Sequence, residues 1–321
     1  MRDALQPEMA EMRIGAQTAP HGPTARVPET ASAAIVLTPA EAAVDKAPLG
    51  PLRRLPTSRV AVAGAVIITF WAILGLSAPW LPLQPPNAQD FMAMADPLPS
   101  EQHWLGVDTL GRDILSRLIW GGRTVLIVAP IAVLAAYFTG CALGLLAGYY
   151  GSYVDTVISR ASDVILSFPV VVLYVILIAN IGPSALNIIV AVVLASSPGV
   201  GRIVRGLVLE LKEQDFVAAA RLRRESDLYI MLVELLPNCR GPLITDFCLR
   251  LGYTTITIGS LGFLGLGLPP PTADWGGMVQ QATAMITVYP HMALFPCFAI
   301  VSLVLGFNLL ADGLRELSLS D

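Results

Sequence analysis

Five stretches of this chain contain no Asp, Glu, Lys or Arg: Val60 to Gln89, Thr124 to Gly148, Val164 to Gly201, Leu251 to Ala273 and Trp275 to Ala311. Each is longer than the ~20 residues an α-helix needs to cross the hydrocarbon core of a bilayer. Composition agrees, with 55% hydrophobic and 14% charged residues among 321, where an ordinary soluble chain has roughly a quarter charged. A soluble globular fold is excluded. The net charge of −4 gives no basic footprint for nucleic acid.

Helix breakers set the number of crossings. Pro79, Pro82, Pro85 and Pro86 stop the first run near Trp80, and Thr124 to Gly148 is a second span. Gly182-Pro183-Ser184 divides the third run into Val164 to Ile181 and Leu186 to about Pro198. Leu251 to Leu268 is a weaker fifth span, diluted by Thr254, Thr255, Thr257 and Ser260, and His291 to Leu310 is the sixth. The expected fold is all-α, a polytopic membrane protein with six transmembrane helices. With an even count both termini share one side. If that side is cytoplasmic, only Arg112, Arg117 and Arg123 fall outside, leaving the other 17 of 20 Lys and Arg inside, as the positive-inside rule requires.

Residues 1–57, rich in Ala, Pro, Thr and Glu, lack the apolar pattern needed to offset ordering entropy and read as a disordered cytoplasmic tail. Residues 58–90 then carry the first span, an uncleaved signal anchor, and the start of an outer loop. Residues 91–123 form an outer interfacial segment, and 124–321 hold five spans with a cytoplasmic loop at 202–250. The four cysteines form no CxxC pair and read as small apolar packing residues, while His21, His103 and His291 are too scattered for a metal cluster. No cofactor or metal site is expected. Gly140, Gly144 and Gly148 recur every four residues and suit a helix-packing seam. Pro130, Pro169, Pro198 and Pro296 lie within spans, where they either shape a pathway or are merely tolerated. Trp71, Trp80, Trp104 and Trp120, with Tyr149, Tyr150 and Tyr153, fit interfacial belts. Asn180 and Asn187 read as helix caps.

Within the long loop, EQDFVAAARLRRESDLYIMLVELLPN (Glu213 to Asn238) reads as two short amphipathic helices ended by Pro237. Ala218, Ala219 and Ala220 would permit close approach of a partner, and the neighbouring arginines suit acidic groups upon it. This stretch resembles the cytoplasmic coupling motif of the inner-membrane permease subunits of ATP-binding cassette importers for peptides and nickel, the DppC/OppC type. It matches at Asp215, Ala219, Ala220, Arg221, Ser226, Asp227, Leu228, Leu236, Pro237 and Asn238. HWLGVDTLGRDILSRLIWGGRT (His103 to Thr124), with Leu105, Gly106, Asp108, Gly111, Arg112 and Asp113, is similar to the family's outer motif. LAGYYGSYVD, LGFLGLGLPPPTADWGGM and ALFPCFAIVSLVLGFNLLADGLRE extend the likeness to the C-terminus.

The resemblance implies the type I permease fold of such importers. It also implies a bacterial inner-membrane location with both termini cytoplasmic, and import of di- or oligopeptides or a related small solute such as nickel. Implied partners are a second homologous permease subunit, two cytoplasmic ATPase subunits and a periplasmic binding protein, with the bilayer around them. The chain lacks a GxxxxGK[ST] phosphate loop, so the nucleotide chemistry falls to the partners. Thr254, Thr255, Thr257 and Ser260 repeat on a polar side that should face a pore or another helix, and the same resemblance favours lining of the pathway. Two positions depart from the family pattern: Ala218 stands where the motif has Glu, and Arg224 where it has Gly. An Arg with φ > 0 costs about 1 kcal/mol, so either the turn is rebuilt or coupling is weakened. An ion-coupled secondary transporter is the competing reading. It calls for ionisable groups near mid-membrane, and the five runs contain none.

Overall fold

The structure is a computed structural model that describes residues 58–319; the expected tail at 1–57 lies outside them. Among the described residues the fold is helical throughout, with a single isolated antiparallel bridge between Val107 and Asp113. The principal helices are α1 (Arg59–Ser77), α2 (Ile114–Tyr150), α3 (Ser152–Leu166), α4 (Val170–Ile181), α5 (Ala185–Leu211), α6 (Asp215–Leu222), α7 (Arg240–Phe263), α8 (Trp275–Ala282) and α9 (His291–Leu319). Helices α1, α2, α5 and α9 are long and apolar enough to cross a membrane, and α3 with α4 makes a fifth span if the pair is one broken crossing. Helix α7 falls short of that standard because it carries Arg240, Asp246 and Arg250 in its first three turns. The six spans expected are therefore four to five by length and apolarity, with α7 the polar candidate for the remaining one.

Caps set several helix ends. The Ser58 hydroxyl accepts from the Ala61 amide at 3.3 Å and donates to Glu316, tying the start of α1 to α9. An Asp113 carboxylate oxygen accepts from the Ser116 amide at 2.7 Å and opens α2. The Ser184 hydroxyl caps α5, and the Asn187 amide donates back to the Ile181 and Gly182 carbonyls, closing α4. Such caps satisfy the orphan backbone groups that helix termini leave.

The most extensive packing is between α2 and α5. A Cβ on Gly140 would stand 2.6 Å from the Val200 Cβ, one on Gly144 2.6 Å from the Val204 Cβ, and one on Gly148 2.8 Å from the Val208 Cβ. The four-residue glycine repeat is thus a groove filled by a four-residue valine ridge, with no room for any side chain.

Several expectations are corrected. The third span does not run straight: Ser167-Phe168-Pro169 separates α3 from α4, and the two meet at 86°. Proline cannot donate to the carbonyl four residues back and collides with it, and here the helix breaks, whereas Pro130, Pro198 and Pro296 are carried inside α2, α5 and α9. Pro237 does not end the loop's second helix. The chain runs on through Asp227–Tyr229, a π-helical segment Ile230–Leu235 and Leu236–Asn238 into α7. The wider π turn shifts the hydrogen-bond register just ahead of the proline, as π segments within helices do. Trp71 is no interfacial anchor. It is buried, its Nε1 donates to Ser302 at 2.9 Å, and its ring meets Trp275 edge-on at 5.0 Å. Trp275 in turn donates to the Leu118 carbonyl at 2.7 Å, so the two indoles join α1, α2, α8 and α9. Trp80 and Trp104 remain exposed.

Candidate functional site

The residues singled out in sequence gather at the two ends of α2 and along α7. At the C-terminal end of α2, the α6 helix buries Val217 and Ala220 in an apolar cluster with Val200, Val204 and Val208 of α5 and Ile230 and Leu235 of the π segment. Asp215, Ala218, Ala219, Arg221 and Leu222 are left on the exposed side, Leu222 at 85% exposure. After the helix, the Arg224 amide donates to the Arg221 carbonyl and the Glu225 amide to the Ala220 carbonyl, with Arg224 at φ +58°. This is a Schellman closure with its left-handed residue at Arg224. The turn for which glycine is best suited is therefore kept, and Arg224 bears its strain.

The arginines of the loop divide in role. Arg221 lies over the Tyr149 ring of α2 at 5.8 Å, and the Tyr149 hydroxyl donates to Asp227 at 2.8 Å. Arg223 bridges Glu234 at 2.9 Å and Glu225 at 3.5 Å. Both hold the loop to itself and to α2. Arg224 forms no ion pair among the described residues and stays exposed. Leu236 is half-buried and Pro237 exposed, just ahead of α7.

The N-terminal end of α2 is built the other way. Arg112 donates from Nε to Asp108 at 2.7 Å and from Nη2 to Gln281 at 2.6 Å, and Asp108 also accepts the amides of Leu110 and Arg112. Arg117 donates to the Pro86 carbonyl and to Asn87. His103 Nδ1 sits 3.0 Å from Asp113. Gly106 and Gly111 take φ of +82° and +72°, and a Cβ on either would strike the backbone carbonyl of Pro97 or Asp90, so glycine is required at both. Leu105 packs on the central core. These motif residues are a buried internal staple. Beside them Asp274 caps α8 through the Gly277 amide at 3.0 Å. Burial pushes its carboxyl up to about 6, against the opposing pull of the Gly277 and Gly276 amides and of Arg117.

Along α7 the four hydroxyl residues do not share one face. Thr254 and Thr255 are buried within the chain, and the Thr255 hydroxyl turns back to the Leu251 carbonyl. Thr257 and Ser260 lie half-exposed on the side that also bears Tyr253 and Leu264. A hollow of about 310 Å³ opens beside Ser260 between α7, α8 and α9. Helix α7 also carries Arg240, Asp246 and Arg250, charged residues of the expected 202–250 loop. Arg250 donates from Nε to Asp246 Oδ2 at 2.6 Å, and the Tyr137 hydroxyl of α2 reaches the same oxygen. A signal was present in the sequence: Asp246 and Arg250 are four residues apart, the spacing of a helical ion pair.

No group of three or more His, Cys, Asp or Glu among the described residues is placed to hold a metal ion. All four cysteines are free thiols, Cys239 and Cys248 buried.

Residues 140–319 match the family model described as binding-protein-dependent transport system inner membrane component. A glutathione transport system permease protein of Pectobacterium atrosepticum is 39% identical over 82% of this chain and 88% of its own length. A dipeptide transport system permease protein of Alkalihalophilus pseudofirmus is 37% identical over 82% and 86%. A glutathione permease of Escherichia coli is 40% identical over 82% and 87%. None of these is an ion-coupled transporter by name. The family match spans α2 from Gly140 onward together with every later helix, and the chain belongs to the inner-membrane permease components of binding-protein-dependent, ATP-binding cassette importers.

Proposed function

We propose that this chain forms half of a translocation pathway for peptides, di- or oligopeptides or a related small solute such as nickel. Its partners in this reading are a second homologous permease subunit, a periplasmic binding protein that delivers the solute, and two cytoplasmic ATPase subunits. The relatives' names, with glutathione and dipeptide among them, favour a peptide. The chain itself carries out no covalent chemistry. Both termini face the cytoplasm, which places the 202–250 loop on the side of the ATPases.

The observation that carries this reading is α6, a helix whose inner side is packed into the bundle and whose outer side leaves Ala218, Ala219 and Leu222 exposed alongside Asp215 and Arg221. Ala218, Ala219 and Leu222 offer a surface a complementary groove can close over, and Arg224 adds a positive charge at its edge. Val217 and Ala220 lie against the α5 valines, and those valines fill the glycine groove of α2. A displacement of α6 on nucleotide binding is thereby passed to the two most tightly packed helices. Because packed interfaces switch between discrete arrangements instead of deforming smoothly, the spans would rock between outward-open and inward-open states and present a weak site to each side in turn.

The test is co-purification of the ATPase subunits with the permease. Ala219→Pro removes a helical hydrogen bond at a cost of about 3 kcal/mol and should abolish ATPase capture while membrane insertion stays normal. Arg221→Glu, which turns the Tyr149 contact into a repulsion with Asp227, should do the same. Normal ATPase capture by both variants refutes docking at this loop.

A further inference from the structure

The C-terminal end of α1 and the N-terminal end of α2 enclose a hollow of about 540 Å³, walled by Leu74 of α1, by Leu81, Pro82 and Leu83 just after it, and by Leu115 and Ile119 of α2. That volume lies within the ~300–1,000 Å³ of small-molecule sites. The polar residues of the lining gather at one end. Gln84 donates to the Gln102 carbonyl at 3.4 Å, Asp113 caps α2 ahead of Leu115, and the Ser116 hydroxyl donates to the Gln84 carbonyl at 2.6 Å. Trp104 joins them, 73% exposed. Ile119 lies one turn further into α2 than Leu115, and Leu74 one turn inside the end of α1. The hollow therefore runs from a polar mouth at the helix ends into an apolar interior.

The surface beside it is one that lipid covers. Val62, Val66, Phe70, Ile73 and Leu76 follow one another at intervals of three or four and are all exposed, on a helix long and apolar enough to cross a membrane. A charge-free face of this kind meets acyl chains. Leu74 follows Phe70 by four residues and borders that face, so the hollow continues the lipid-covered surface inward. Trp80 and Trp104, both exposed at the helix ends, are of the type that sits where acyl chains give way to headgroups. The charge near the mouth has one sign. Between Arg59 and Arg112 the charged residues are Asp90, Asp96, Glu101 and Asp108, all acidic, and Asp96 and Glu101 are exposed. Such a mouth attracts an ammonium group and repels a purely anionic headgroup.

We propose that this hollow binds a phospholipid with an amine-bearing headgroup, such as phosphatidylethanolamine, seating one acyl chain between α1 and α2. Gln84, Gln102 and the Trp104 indole N–H supply hydrogen-bond donors for ester and phosphate oxygens, and Glu101 supplies a carboxylate for the ammonium. The seated chain fills the gap between the two helix ends and braces the corner that they form.

The test uses the full-length permease with its co-purifying subunits in lipid nanodiscs. The probes are phosphatidylethanolamine carrying a diazirine in its acyl chain and phosphatidylglycerol carrying the same group. After irradiation, labelled residues are mapped by mass spectrometry, with Val62 and Val66 as the measure of ordinary lipid contact. Labelling at Leu81 to Leu83 and Leu115 to Ile119 should exceed that at Val62 and Val66 about tenfold. It should be about fivefold stronger with the ethanolamine lipid, the effect of roughly one charge near a membrane surface. Leu83→Trp and Leu115→Trp, which fill the hollow, should each abolish the excess and leave Val62 and Val66 labelled as before. If neither variant folds, the unaltered chain still decides, because unlabelled phosphatidylethanolamine should displace the probe from the hollow and unlabelled phosphatidylglycerol should not. Labelling no stronger than at Val62 and Val66 overturns the site, as does an unlabelled hollow, which would show that a protein partner covers it. Equal labelling by the two lipids overturns the headgroup assignment.

Discussion

The two ends of α2 carry similar residue types and use them in opposite ways. At the N-terminal end Asp108, Arg112, Asp113 and Arg117 are buried; Asp108 pairs with Arg112 and faces Arg117, and Gln281, Asn87, His103 and backbone groups supply hydrogen bonds around them. At the C-terminal end Arg221, Arg223, Arg224 and Asp227 are exposed, and the contacts they make are a ring face, one hydroxyl and surface ion pairs. Buried pairs are costly to break, because the abandoned partner cannot recover its hydration. Exposed pairs in water contribute little. A charged motif in a sequence can therefore be a staple or a docking surface, and burial decides which.

The sharpest way to break this contrast is to remove one aspartate from each end. Asp108→Ala leaves the Arg112 and Arg117 guanidiniums without their shared carboxylate and frees two backbone amides, Leu110 and Arg112. Its cost should be about 3–5 kcal/mol, read as a large fall in the thermal unfolding temperature of the purified permease. Asp227→Ala loses a surface hydrogen bond from Tyr149 and should cost less than about 1 kcal/mol. Equal losses at the two sites would show that burial does not separate them.

Acid titration of the Asp274 region sharpens the comparison at its buried end. The free carboxyl titrates near 3.8 and the folded one at about 6, so folding here favours the protonated form. The corresponding stability is complete below pH 3.8 and is lost as pH rises through 6. The difference of roughly two units corresponds to about 3 kcal/mol at most. Hydrogen exchange at the Gly276 and Gly277 amides, corrected for intrinsic rates, should show protection falling across that window, and Asp274→Asn should flatten the profile. Parallel profiles in the two proteins would remove Asp274 as the cause.

How much of this was legible in the sequence depends on how local each signal is. The glycine repeat of α2 named its own seam, because a four-residue spacing fixes a helix face whatever the partner. Less was legible where the partner lies far along the chain. Trp71 reads as an interfacial anchor by position, yet it is buried because Trp275 and Ser302 reach it from more than 200 residues away. Thr254 and Thr255 read as pathway residues because a polar face is easily seen, whereas their burial depends on neighbouring helices. Asp246 and Arg250 read as loop residues because they end a charge-free run, whereas a helix that pairs its charges internally can carry them.

The smallest effect, and the finest test of the exposed end, is at Arg224. Its φ of +58° is a conformation that costs an L-residue with a side chain on the order of 1 kcal/mol and costs glycine almost nothing. The free energy recovered by Arg224→Gly is reduced by glycine's greater freedom in the unfolded chain, so the net gain should be no more than about 1 kcal/mol. It should be confined to the turn, visible as slower hydrogen exchange at the Arg224 and Glu225 amides that close the helix. Removal of the charge acts separately: if Arg224 meets an acidic edge on the ATPase, the glycine variant will hold the subunit less tightly at low salt and equally at high salt. A variant with a firmer turn and unchanged ATPase affinity at every salt concentration would reduce Arg224 to a conformational oddity and leave Ala218, Ala219 and Leu222 as the docking surface. Weaker binding at low salt alone would show that the arginine is kept for its charge, at the expense of the turn that carries it.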